Sequence, residues 1–105
     1  MYSHDAVADL IGILSLARTH LPIRNRSWMK RVHRDCFIAS EMVDFLVVQG
    51  LAESRKKAVE IGRLAVEKKL ICQVLTGISS FCDSYHYYRF TEDGTLLLQD
   101  LKFLL

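Results

Sequence analysis

Residues 23–30 read IRNRSWMK and residues 36–46 read CFIASEMVDFL, and these two runs decide the fold. The first run has no helical period and interleaves basic with apolar side chains, which is typical of an exposed two-stranded arm over residues 23–37. The second run has apolar side chains at helical spacing behind Ser40, a residue type that often caps helices, and Gly50 follows it as a C-terminal cap would. The sequence therefore predicts an arm that leads directly into a helix.

The segments on either side of these runs are also predicted to be helical. Apolar residues at helical spacing predict a first helix over residues 6–17, and Pro22 disfavours helical geometry beyond it. Ser54 is a candidate N-cap for an amphipathic third helix over residues 55–69. The arm is thus expected between the first and second helices of a three-helix bundle.

The last third of the chain predicts a β-hairpin and a tail helix. Residues 70–75 (LICQVL) form a short apolar run, and residues 81–91 (FCDSYHYYRFT) are rich in aromatic side chains with partial alternation. Leucines at helical spacing predict a short helix over residues 95–105. The expected fold is α+β, a winged-helix-like three-helix bundle with a β-arm, a C-terminal hairpin and a short tail helix.

Composition is typical of one folded domain in a reducing compartment. The chain has 105 residues, of which 50% are hydrophobic and 25% charged, which suits a single hydrophobic core over residues 1–105. The three cysteines are odd in number and lack C-x-x-C spacing, and the first ten residues lack the basic start of a signal peptide. No apolar run is long enough to span a membrane. We therefore expect a cytoplasmic protein.

The positive charge is concentrated around the arm. The formal net charge is only +2, yet residues 18–34 contain six Lys or Arg residues and no acidic residue. The segments before and after this stretch each carry a small net negative charge. The arm can therefore attract an anionic surface even though the chain as a whole is nearly neutral.

Five short motifs in this order resemble the DEP domain, the module shared by Dishevelled and pleckstrin. That family typically shows I-R-D-R, C-F-x-G-S-E-x-V-D-W-L, an Arg-rich start to helix three, G-L-I before the hairpin, and Y-Y-R-F near the end. The corresponding segments here are residues 23–26, 36–46, 54–57, 69–71 and 87–90. The resemblance covers about residues 5–91 and leaves residues 92–105 as a C-terminal extension.

Three positions depart from the family pattern without changing the expected fold. Ala39 stands where glycine is usual, Phe45 where tryptophan is usual and Asn25 where aspartate is usual. Each replacement keeps the size class or the polarity. We expect such departures to affect the choice of partner and not the architecture.

The resemblance implies a non-catalytic signalling module without a cofactor. DEP domains act around G proteins and small GTPases and bring their host proteins to membranes, through acidic phospholipids or the tail of a membrane receptor. The expected state is a monomer in isolation, peripherally associated with a membrane. The alternative that the residues leave open is a purely protein-binding module in the same kind of signalling, with no lipid contact.

The candidate docking residues are the basic side chains of the arm, its tryptophan and the basic start of helix three. They are Arg24, Arg26, Trp28, Lys30, Arg31, Arg34, Arg55, Lys56 and Lys57. The lack of acidic residues over residues 18–34 favours docking over a merely solvated loop. An exposed Trp28 would suit a bilayer interface or a protein hot spot, whereas a lone tryptophan in a small domain more often belongs to the core, and the sequence leaves its position open.

The remaining aromatic and ligand-type residues favour structural roles. Tyr85, Tyr87, Tyr88 and Phe90 are expected in the core, with His86 exposed between them. Metal binding would need the two hairpin cysteines and His86 to converge, but no zinc spacing is present, and Cys36 is expected to be a small buried hydrophobe.

Catalysis and nucleic-acid binding have little support in the sequence. The sequence contains neither G-x-S-x-G, nor H-E-x-x-H, nor a Gly-rich phosphate loop, so no enzymatic activity is expected. A winged helix can read DNA with its third helix, but that helix carries Glu60 and Glu67 beside its basic residues. A DNA reader would show a basic helix and a higher overall charge, so no nucleic-acid partner is expected.

Overall fold

A computed structural model describes residues 4–74 and 80–91, in which three helices pack against a small antiparallel sheet. The elements in chain order are α1 (His4–His20), β1 (Arg24–Trp28), β2 (Arg31–Ile38), α2 (Ala39–Val48), α3 (Arg55–Glu67), β3 (Ile71–Gln73) and β4 (Tyr87–Phe90). None of the described helices combines the length and the apolar character needed to cross a membrane. The predicted tail helix over residues 95–105 lies outside the described residues.

The sheet places the arm at one edge and the hairpin at the other. Its strand order is β1-β2-β4-β3, and all neighbouring strands are antiparallel. The predicted pairing of the two C-terminal strands is confirmed by the register Cys72↔Arg89. β4 is much shorter than the predicted strand over residues 81–91, because residues 81–86 leave the sheet to cover the helices.

Residues 84–86 explain why one predicted helix cap is wrong. Ser40 does not cap α2. The helix starts at Ala39, behind the extended residue Ile38, and its N-terminus has no side-chain cap. The backbone N–H groups of Ala39 and Ser40 instead donate to the carbonyl oxygens of His86 and Ser84, at 3.0 and 2.8 Å. The free donors of the helix start are thus satisfied by a segment more than forty residues away in the sequence.

The predicted start of α3 and the predicted end of α2 are confirmed, whereas α1 runs to His20, three residues beyond its predicted end. The Ser54 hydroxyl accepts a hydrogen bond from the backbone N–H of Lys57 at 3.2 Å, as an N-cap of α3 should. Gly50 follows α2 with φ +71°, a conformation that glycine adopts without strain. α3 ends at Glu67, two residues before the end of the predicted helix over residues 55–69, and Lys68 lies exposed just beyond it.

The hydrophobic core lies between the three helices and the body of the sheet. Its largest fully buried side chains are Tyr88, Phe37, Phe81, Leu14, Met42 and Leu46. The rings of Phe37 and Phe81 both pack against that of Tyr88, with ring centroids 6.2 Å apart for Phe37 and Tyr88 and 4.9 Å for Phe81 and Tyr88. The α+β, winged-helix-like architecture predicted from the sequence is confirmed. The arm contributes little to this core, because all five residues of β1 are at least partly exposed.

Candidate functional site

A tight turn sets the tip of the arm. The pair Trp28↔Arg31 closes a two-residue loop formed by Met29 and Lys30. Both loop residues have positive φ, 53° and 63°, as the preferred two-residue hairpin turn requires. Asn and Gly usually occupy such positions, and bulkier residues are strained in this conformation. The arm therefore presents a methionine and a lysine at its tip at some cost in backbone energy.

A β-bulge marks the base of the arm. The register changes from Arg26↔His33 to Arg24↔Cys36, so β2 contains one extra residue there. That residue is Asp35, with φ +52°, and its N–H donates to the side-chain oxygen of Asn25 at 3.2 Å. Immediately after the bulge, Cys36 is fully buried, as predicted from the sequence. The bulge separates the exposed arm from the body of the domain.

Apolar side chains are exposed at the end of the arm. Trp28 is 51% exposed, Met29 is 79% exposed and Val32 is 64% exposed. The sequence left the position of Trp28 open, and the structure shows the indole exposed, with its ring edge to face with that of Tyr87. Exposed tryptophan next to methionine is unusual on a small soluble surface and is typical of binding sites.

Four basic side chains of the arm are free to bind. Arg24, Lys30, Arg31 and Arg34 are exposed, and their side chains form no hydrogen bond or ion pair with any residue that the structure describes. Lys30 lies in the turn, next to the exposed tip. This combination of apolar and cationic groups makes the tip the strongest candidate for a docking surface.

Arg26 has a different role from the other basic residues. Its guanidinium donates to the backbone carbonyls of Pro22 (2.8 Å) and Cys36 (3.3 Å). It also lies over the Tyr87 ring, 5.9 Å from the centroid. Arg26 therefore ties the arm to the body, which makes it a positioning residue.

The basic start of α3 is separate from the arm. Arg55 binds both oxygens of Asp83, at 2.7 and 2.9 Å, and Asp44 at 2.6 Å. These hydrogen bonds from Arg55 hold the pKa of the Asp83 carboxyl below its usual value. Lys57 lies 3.5 Å from Glu60, and Lys56 is exposed. No hydrogen bond or ion pair between described residues joins these three side chains to the arm.

An aromatic groove lies beside the arm and was not predicted from the sequence. Trp28, Tyr85, His86 and Tyr87 line a cavity of about 180 Å³. Trp28 meets Tyr87 edge to face, with ring centroids 6.4 Å apart and an interplanar angle of 80°. The signal was present in the aromatic run 85–88, but strict strand alternation could not show that residues 81–86 leave the sheet.

The predicted burial of this run is therefore only partly correct. Tyr88 is fully buried, whereas Tyr87 and Phe90 are half-buried. Tyr85 is 84% exposed, contrary to its predicted core position. His86, predicted to be exposed, is half-buried, and its Nδ1 lies 2.6 Å from the Ser84 hydroxyl.

Metal-ligand residues do not converge within residues 4–74 and 80–91. No group of three or more His, Cys, Asp or Glu side chains in these ranges could hold a metal ion. Cys72 and Cys82 are half-buried thiols that form no disulfide. The arm presents cationic and aromatic groups, which are suited to recognising a partner.

Comparison with known proteins places this geometry in a family. The family model described as "Domain found in Dishevelled, Egl-10, and Pleckstrin (DEP)" matches residues 20–90. The vacuolar membrane-associated protein IML1 of Saccharomyces cerevisiae is 30% identical over 70 residues, which is 66% of this chain and 4% of that protein. The protein of the same name from Scheffersomyces stipitis is 28% identical over 89 residues, 83% of this chain and 6% of that protein.

Solved structures share the same architecture. The DEP domain of mouse pleckstrin2 has a TM-score of 0.69 at 20% identity and covers 88% of this chain and 86% of its own. The DEP domain of human pleckstrin has a TM-score of 0.65 at 18% identity, with coverages of 80% and 77%. At such low identity these similarities establish the fold and carry nothing about partners.

Proposed function

The chain belongs to the DEP domain family, and from that premise we propose that it is a signalling module that docks its host protein on the cytoplasmic face of membranes rich in acidic phospholipids. The docking surface runs along the arm, from Trp28, Met29, Lys30 and Arg31 at its end to Arg34 beside the bulge. The module itself carries out no catalysis and needs no cofactor. Arg24 extends this surface towards the base of the arm, and Lys56 and Lys57 extend it only if α3 also faces the membrane.

The observation that carries the proposal is the exposure of Trp28 and Met29 beside basic side chains that pair with none of the described residues. Tryptophan is enriched at the level of the lipid head groups, where its apolar ring and its N–H are both accommodated. Each Lys or Arg near an anionic bilayer contributes about 1 kcal/mol of attraction. The arm combines both contributions, and no acidic residue lies between its first and last basic residue.

The names of two relatives agree with this proposal. Both IML1 proteins are described as vacuolar membrane-associated. This chain spans only 4 to 6% of the length of those proteins, so the activity of a whole host protein is not assigned from them. Attachment at a membrane surface is the property that a domain of this size could contribute.

Co-sedimentation with liposomes tests the proposal. The 105-residue chain is expected to bind vesicles rich in phosphatidic acid or phosphoinositide, and to bind neutral vesicles much more weakly. The double change Lys30→Glu/Arg34→Glu removes two attractive charges and adds two repulsive ones, so it is expected to weaken binding at least about thirtyfold. Arg26 is left unchanged because its guanidinium holds the arm in place.

The matched control is Lys68→Glu/Lys69→Glu. It changes the net charge by the same amount, but these residues precede β3, which lies at the opposite edge of the sheet from β1. The control is expected to bind nearly as well as the unchanged chain. Equal loss in both variants would mean that total charge decides, and no binding at physiological salt would refute membrane docking.

A purely protein-binding module in G-protein or small-GTPase signalling is the second candidate function. The observation that favours it is the aromatic groove, because tryptophan and tyrosine are enriched in protein hot spots. Nucleic-acid binding is not proposed, since α3 exposes Glu60 and Glu67 to solvent. Trp28 belongs to both the arm tip and the groove, so experiments must separate the two surfaces through other residues.

A further inference from the structure

The aromatic groove is built from a rigid part of the backbone. The carbonyls of Ser84 and His86 accept hydrogen bonds from the first turn of α2, and the Ser84 hydroxyl lies 2.6 Å from Nδ1 of His86. Tyr87 belongs to β4 and packs against the edge of Trp28. The backbone on both sides of the exposed Tyr85 is therefore held by hydrogen bonds, which lowers the ordering entropy lost when a ligand binds.

The electrostatic surroundings of the groove are positive. Arg26 lies over the Tyr87 ring, and Arg31 is the strand partner of Trp28. The acidic residue nearest in sequence to Tyr85 is Asp83, and both of its carboxylate oxygens are bound by Arg55. A carboxylate of a partner would therefore meet the guanidinium groups of Arg26 and Arg31 next to the rings.

We infer that this groove binds a proline-containing acidic peptide segment of a partner protein. Grooves lined by tryptophan and tyrosine accept prolines because a polyproline II helix is already extended and presents flat apolar faces to the rings. Arginines beside the rings select carboxylates in the flanking residues. A cavity of about 180 Å³ is smaller than typical small-molecule sites, and it suits one or two anchoring prolines of a longer segment. This inference names a partner chemistry for the second candidate function, and it does not rest on membrane docking, because it requires no lipid.

The chain contains a direct reporter for this site. Trp28 is the only tryptophan, so its fluorescence reports on the groove without a label. The probe is a synthetic peptide with four prolines flanked by glutamates, titrated without lipid. Two comparison peptides have the same prolines flanked by lysines, or the same glutamates flanking alanines. Only the first peptide is expected to give a saturable change in fluorescence.

Variants of Tyr85 test the assignment without affecting the core. Tyr85→Ala removes an exposed ring and is expected to weaken binding at least about tenfold, while Tyr85→Phe keeps the ring and stays within about twofold. Val48→Ala is the matched control, since Val48 is an exposed apolar residue on α2, outside the groove. Thermal melting of each variant checks that the fold is retained.

Specific outcomes would overturn the inference. If the lysine-flanked or alanine peptide binds as well as the acidic proline peptide, the assigned chemistry is wrong. If none of the peptides binds at millimolar concentration, the groove is not a peptide site. If Tyr85→Ala loses liposome binding and no peptide binds, the groove belongs to the membrane surface. If the peptide still binds the Lys30→Glu/Arg34→Glu variant, the groove acts separately from the basic residues of the arm. Failure of liposome binding then refutes membrane docking without refuting the peptide site.

Discussion

The two ends of the sheet differ in how far their side chains are buried and in how their charges are paired. At the arm end, β1 and β2 pair with each other but bury few side chains, and four basic residues form no ion pair with any part of the chain that the structure describes. At the body end, β4 and β3 carry Tyr88 and Ile71 into the core. β2 belongs to both ends, since Arg31–Asp35 are at least partly exposed and Cys36 and Phe37 are fully buried.

This difference separates the residues that fold the domain from those available for binding. In the body, packing fixes the size and shape of each side chain. In the arm, the backbone pairing and the turn fix the shape, so that the side chains can be selected for a partner. The charges follow the same division, because Arg55 is paired with Asp44 and Asp83 whereas the arginines at the arm tip are unpaired among described residues.

The largest expected effect is on the free energy of unfolding, and it is seen by comparing two positions of β2. Phe37→Ala removes a fully buried ring that contacts Tyr88 and Phe90, and it should lower the free energy of unfolding by about 3 to 5 kcal/mol. Val32→Ala removes an exposed side chain of the arm and should change it by less than about 0.5 kcal/mol. Urea unfolding of both variants measures the contrast. Similar losses at the two positions would show that the arm is part of the core.

Alanine substitutions at two helical glycines should change the free energy of unfolding by intermediate amounts of opposite sign. The contrast tests the packing of the body. A Cβ at Gly62 in α3 would collide with the buried ring of Phe81, so Gly62→Ala should cost about 1 to 3 kcal/mol. A Cβ at Gly12 in α1 meets no atom within 4 Å, so Gly12→Ala should stabilise the domain by about 0.5 to 1 kcal/mol. Thermal and urea denaturation give both values. Stabilisation by Gly62→Ala would mean that Phe81 does not pack on α3 as described.

The smallest expected effect concerns pH and the paired charges of the body. The bonds from Arg55 lower the pKa of Asp83 in the folded state below its unfolded value. The pair therefore stabilises the domain above about pH 4, and this contribution is lost as the pH falls and the carboxyl becomes protonated. Asp83→Asn should be less stable than the unchanged chain at pH 7, and the difference should shrink towards pH 3. A constant difference for Asp83→Asn across this range would show that the ion pair contributes nothing.

Local patterns in the sequence were sufficient to predict the elements and the family. Helical spacing predicted the three helices, and Ser54 was identified as a cap because its hydrogen bond closes within one turn. The interleaved basic and apolar residues predicted the arm. Each of these features depends on residues close together in the chain, which is the kind of information that a single sequence carries.

The errors all involve partners that are distant in sequence. The start of α2 takes its acceptors from Ser84 and His86, which no pattern near Ser40 could show. Arg55 has partners 11 and 28 residues away, and so it seemed a free basic residue. The exposure of Trp28 depends on how far the arm extends beyond the helices. The candidate site was therefore predicted as a list of residues, while its division into a tip, a positioning arginine and a groove required the structure.

The continuity of β2 also has a mechanical meaning. The strand runs from the arm tip, through the bulge at Asp35, into the first turn of α2, with no linker between strand and helix. Only two residue pairs, Phe37↔Tyr88 and Ile38↔Tyr87, connect this strand to β4. A force applied at the tip is therefore transmitted along one extended backbone to the start of α2 and to the segment that supplies its hydrogen-bond acceptors. We expect tension on an anchored tip to load the junction between β2 and α2 first.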